Sequence, residues 1–134
     1  MNNRRWVLLG LLALLPIMSC RKANLQRSLI APQYQITFQK EDNVVRAAYD
    51  LSVPVGGPAL LADFKLYVDG KNLLKDEFQP GQTAFKSSVQ YVLEHPDKDI
   101  VVGYSLATNE GWSQDDHDTL RGAKRYDDAH FHNP

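Results

Sequence analysis

The side chains best suited to chemistry gather near the C-terminus. Asp115, Asp116, His117 and Asp118 set three carboxylates and an imidazole in consecutive positions, and His130 and His132 follow two residues apart. Carboxylate oxygens suit hard cations such as Ca²⁺ or Mn²⁺, whereas a histidine pair on one strand face suits Zn²⁺, Cu²⁺ or Ni²⁺. The spacing is not that of an EF-hand, whose loop needs a glycine at its sixth position. These six residues are the candidate metal ligands, and a solvated polar tail is the alternative. Trp112 is a candidate binding residue, because aromatics are enriched where interfaces concentrate their energy; it could as easily plug one end of a sheet sandwich. His95 precedes Pro96 in an evident turn and reads as exposed.

Signatures of catalysis are scarce. The chain has no Gly-rich phosphate loop, no HExxH and no GxSxG, and its single cysteine rules out CxxC. Serine, histidine and aspartate occur, but composition alone makes no triad. The expectation is a protein that is not an enzyme and carries no catalytic residue or cofactor. The formal net charge is −1, and no clustered basic face suggests nucleic acid.

Cys20 is the most informative residue. An exported domain with one thiol has no internal disulfide, so the leftover cysteine needs another explanation. Before it come Arg4 and Arg5, then an apolar run from Trp6 to Ile17 interrupted by Pro16. That run falls short of the roughly 20 residues a permanent membrane helix requires, and it reads as a secretion signal over residues 1–19. The motif Ile17-Met18-Ser19-Cys20 resembles the lipobox of bacterial lipoproteins, with Met18 at the tolerant position where small or aliphatic residues are commoner. The resemblance implies diacylglycerol on the Cys20 sulfur, cleavage before Cys20, and N-acylation by a further chain such as palmitate. It also implies a sorting signal. In enteric bacteria an Asp after the cysteine retains the protein in the inner membrane, and Arg21 stands here instead. An acidic run that would send it to the cell surface is also missing. The expected place is the cell envelope, at the outer membrane and facing the periplasm.

Cleavage there would leave 115 of the 134 residues and, without Arg4 and Arg5, a formal charge of −3. Residues 20–32 are polar, end in Pro32, and read as a lipidated tether. Residues 33–108 alternate apolar and polar side chains, the mark of half-buried strands. Tyr34, Ile36 and Phe38 share one face. Val45, Ala47, Tyr49, Leu51 and Val53 share the next, and Leu60, Ala62, Phe64, Leu66 and Val68 a third. Thr83, Phe85, Val89, Tyr91 and Leu93 follow, then Ile100, Val102, Tyr104 and Leu106. Leu61 and Tyr67 fall on the otherwise polar face of the third strand. This pattern predicts an all-β domain, an immunoglobulin-like or transthyretin-like β-sandwich of about six to seven strands. Residues 109–134 read as a polar tail that is disordered or adds an edge strand near residues 119–125.

The expected role is a structural, assembly or protein-binding subunit of an envelope complex, attached to the membrane through its lipid. A periplasmic ligand-binding module for carbohydrate or metal is the alternative. Asp76-Glu77-Phe78-Gln79-Pro80-Gly81, the later Ile100-Val101-Val102-Gly103-Tyr104 and Trp112 also resemble the type VI secretion outer-membrane lipoprotein, a small transthyretin-like sandwich. That resemblance implies docking onto a secretion machine.

Overall fold

Strict alternation makes the first hairpin. The computed structural model describes residues 29–133. Strand β1 (Gln33–Glu41) buries Tyr34, Ile36, Phe38 and Lys40, and β2 (Val44–Ser52) buries Val45, Ala47, Tyr49 and Leu51. The two pair antiparallel from Gln33 opposite Ser52 to Glu41 opposite Val44. The turn between them sets Asp42 at φ 53°, a left-handed conformation that Asp tolerates better than most residues.

Next come β3 (Leu61–Val68) and the two-residue β4 (Lys71–Asn72), joined by Asp69 and Gly70. Both turn residues have positive φ, 52° and 78°, as the primed hairpin turn expected of an Asp-Gly dipeptide requires. Strands β5 (Ala84–Val92), β6 (Ile100–Thr108), β7 (Ser113–Leu120) and β8 (Tyr126–His132) complete the described chain. They form two four-stranded antiparallel sheets, ordered β5-β2-β1-β8 and β4-β3-β6-β7. The domain is all-β, and its two sheets share one apolar core.

Two aromatic groups fill that core. Tyr49, Phe64, Phe78 and Phe85 meet largely edge-to-face, with centroids 5.2–6.3 Å apart. Toward β8, Phe38 and Tyr104 both contact Phe131. The buried hydroxyls of Tyr34 and Tyr104 lie 2.7 Å apart and satisfy each other. Burial, then the Tyr34 hydroxyl, pushes the Tyr104 phenol well above its ordinary pKa.

The structure differs from the sequence expectation in two places. At the start of β3 the fully buried residue is Leu61, while Leu60 and Ala62 are only half-buried. The β3–β6 ladder shifts register between Leu61 and Asp63; such a bulge lets two residues oppose one and turns the strand end over. Leu61, expected on the polar face, is therefore a core residue.

The second difference is the tail. Residues 113–132 supply β7 and β8, one edge of each sheet, and the described domain has eight strands, not six or seven. Of residues 119–125, the expected edge strand, Thr119 and Leu120 end β7 and residues 121–125 form the loop between β7 and β8. The pattern hid β7 because an edge strand can be wet on both faces. Of its eight residues only Leu120 is buried, and the strand is held by its backbone ladder to β6.

Candidate functional site

The outer face of the β4-β3-β6-β7 sheet carries a trough, and its cause lies in three small residues. Gly103, Ser105 and Ala107 occupy outward positions on the central strand β6. Longer side chains flank them in cross-strand rows: Tyr67 and His117 beside Gly103, Lys65 and Asp115 beside Ser105, Asp63 and Ser113 beside Ala107. The larger end, between Tyr67, Val101, Gly103 and His117, is an open depression of about 620 Å³. Toward Asp63, Ala107 and Ser113 the space is smaller, about 300 Å³.

Gly103 is dictated by close approach of the neighbouring strand. A Cβ there would lie 2.5 Å from the Asp116 carbonyl oxygen and 3.1 Å from the His117 Cβ. Any side chain would push β7 away and fill the floor of the trough. The walls are polar, with Asp63 and Lys65 paired at 3.7 Å. Both partners are about half exposed, so that pair contributes little to stability. The trough can therefore offer an aromatic ring, an imidazole, carboxylates and an ammonium to a polar ligand or an extended peptide.

The candidate metal ligands are spread out. Strand alternation separates Asp115 and His117, on the trough face, from Asp116 and Asp118. Asp116 and Asp118 turn back to accept the backbone N–H groups of His117 and Thr119, each at 2.8 Å. His130 and His132 lie on β8, in the other sheet. His130 Nε2 sits 3.1 Å from an Asp128 carboxylate oxygen, and His132 Nδ1 donates to the Asn133 carbonyl at 3.0 Å. Among the described residues no three histidine, cysteine, aspartate or glutamate side chains group closely enough to hold a metal ion. Trp112 is half-buried and packs on Tyr34, with ring centroids 6.4 Å apart, covering that end of the core. His95 is exposed in its turn. Cys20 lies outside the described residues.

The opposite end is closed by a residue that sequence patterning passed over. Lys40 is only 3% exposed. Its ammonium shares three N–H donors among four backbone carbonyls: Pro96 at 2.7 Å, Lys124 at 2.8 Å, Arg121 at 3.1 Å and, most weakly, Gly122 at 3.4 Å. The β5–β6 and β7–β8 loops are thus tied to β1 through one cation. Gly122 lets the loops meet, since a Cβ there would fall 2.2 Å from the Asp97 carbonyl oxygen. Asp99 accepts the Gly122 N–H at 2.8 Å, and Asp127 accepts those of Arg121 and Asp128. The signal was present in the sequence: Lys40 continues the inward series Tyr34, Ile36, Phe38.

Hydrogen bonding from the Arg121 backbone, reinforced by that of Asp128, holds the Asp127 carboxyl below its ordinary pKa. A carboxylate so favoured adds stability above its unfolded pKa of about 4, and that contribution disappears as pH falls through the lowered folded value. Asp127→Asn should accordingly shallow the acid limb of a stability-against-pH curve and leave its slope near neutrality unchanged. An unaltered acid limb would contradict this role.

Comparison with protein family models, curated proteins and solved structures finds no match for this chain.

Proposed function

We propose that this chain is a lipid-anchored protein of the bacterial cell envelope, and that its sandwich serves as a binding or assembly module held at the membrane. The carrying observation is the order of parts: Ile17-Met18-Ser19-Cys20, then a polar stretch, then a sandwich whose first strand opens at Gln33. With the reach of a random coil, about 12 residues would span roughly 20 Å, and docking would occur at high effective concentration. The trough along β6 is the contact surface this reading favours, because it presents varied polar groups on a rigid sheet.

The sandwich is, in this reading, of the immunoglobulin kind. What supports it is strand order: β1, β2 and β5 lie adjacent as A, B and E do there, and β4, β3, β6 and β7 follow C′, C, F and G. Strand β8 is then an addition beside A. A transthyretin-like arrangement has no comparable support.

In-cell crosslinking from the trough, for instance through a photoreactive residue replacing Ser113, should capture a specific envelope protein. Recovery should fall severalfold for a Cys20→Ala chain that remains folded. Equal recovery from the untethered chain would contradict the role of the anchor.

A further inference from the structure

Among the described residues four strands are sheet edges, and they are unequally protected. Strand β4 has two residues. Strand β7 carries Asp115, Asp116 and Asp118, and β8 carries Asp127 and Asp128; charge of this kind discourages edge pairing. Strand β5 is nine residues long, AFKSSVQYV, with Lys86 as its one charge. It is the edge least defended against another strand.

Its free backbone groups can be assigned. At the two ends of the β2–β5 ladder Val53 donates to the Thr83 carbonyl at 2.8 Å and Leu93 to the Asn43 carbonyl at 2.7 Å. In the observed register this makes the odd-numbered residues of β5 the hydrogen-bonded partners of β2. The N–H and C=O groups of Ala84, Lys86, Ser88, Gln90 and Val92 therefore point outward, away from β2.

We propose that β5 pairs with β5 of a second copy, antiparallel about a two-fold axis at Ser88, joining two four-stranded sheets into one of eight strands. The occupant follows from self-complementarity. With Ser88 opposite itself, Ala84 faces Val92 and Lys86 faces Gln90 of the second copy. Every outward-pointing amide then meets another, giving about ten new backbone hydrogen bonds. On the outer face the row becomes Asp50, Lys86, Gln90, Arg46, with Asp50 and Lys86 already 3.8 Å apart. No like charges stand opposite. Val92, 65% exposed in the single chain, is covered by Ala84. The same operation on β7, centred on Asp116, would set Asp116 against itself.

An axis of this kind points the two Gln33 ends in opposite directions. The dimer would therefore lie with its strands along the membrane, a consequence that rests on the lipid-anchor reading, whereas the pairing itself does not.

The test uses the full chain in detergent with Cys20→Ser, so that an introduced thiol is unique. Ser88→Cys should form a disulfide-linked dimer under mild oxidation, and Ala48→Cys, exposed one strand inward, should not. In analytical ultracentrifugation the parent chain should show a concentration-dependent dimer. Ser88→Pro removes one outward N–H from each copy and spares the β2 ladder. It should weaken association roughly ten- to a hundredfold for the two bonds lost, with the melting temperature nearly unchanged. A parent chain that stays monomeric, a dimer indifferent to Ser88→Pro, or crosslinking of residue 88 in cells to a different protein would each overturn the proposal. Loss of lipidation would leave these outcomes as they are, which separates this claim from the anchoring claim.

Discussion

Leu66→Asp is expected to bring the domain to the edge of unfolding at room temperature. Leu66 is fully buried at the middle of β3, between inward-facing Phe64 and Val68 and opposite Tyr104 on β6. Removing its side chain alone, as in Leu66→Ala, should cost about 3 kcal/mol through lost burial and the cavity left behind. Aspartate adds the cost of a carboxylate in an apolar core, for a total on the order of 5 kcal/mol. That is a large share of the roughly 5–15 kcal/mol available to a small domain. Urea titrations of the three proteins should rank them in that order. The Asp variant should also recover part of its deficit as pH falls and the carboxyl protonates. Equal stability of Leu66→Asp and the parent chain would refute the placement of β3.

Lys40→Met reverses the logic, by removing a charge that the fold is built to hold. Methionine retains much of the aliphatic stem, so packing along β1 is largely kept, but four carbonyls lose their donor. No charge is left unpaired, but a buried acceptor without a donor costs about 1–3 kcal/mol; water reaching these part-buried carbonyls satisfies some of them, and about 3 kcal/mol is expected in all. The loss should also be local. Amide exchange should quicken most in the 93–99 and 121–125 loops, which Lys40 ties to β1, and least in the β1–β2 ladder. A Met variant as stable as the parent would mean that the carbonyls find other partners.

These two residues also show what the sequence could and could not reveal. Leu66 was readable because period-two alternation reports directly which side chains face a core. Lys40 obeys the same period, yet a lysine is ordinarily taken to end a buried face. The carbonyls that satisfy it come from residues more than 50 positions away, joined only by the fold. Leu61 was misplaced because a bulge breaks the period without leaving a mark in residue type. The polar β7 was hidden because its stability comes from backbone pairing to β6, to which its side chains add little pattern.

The trough was legible only in fragments. Tyr67 stood out as an aromatic on a polar face, and Asp115 and His117 as candidate ligands. What unites them is the cross-strand register that sets Tyr67, Gly103 and His117 in one row. Gly103 could be read as a weak point in a strand; its necessity comes from the Asp116 carbonyl lying where a Cβ would be. The metal reading drew on six residues close in sequence, and the sheet topology parts them between two edges.

Attachment of lipid at Cys20 is the claim on which the proposed role depends. Cells expressing the full chain, grown with an alkyne analogue of palmitate and probed after denaturing purification, test it directly. The wild-type chain should carry the label and partition with the membrane fraction, whereas Cys20→Ala should be unlabelled and leave that fraction. Equal labelling of the two chains, or no label on either, would contradict the account.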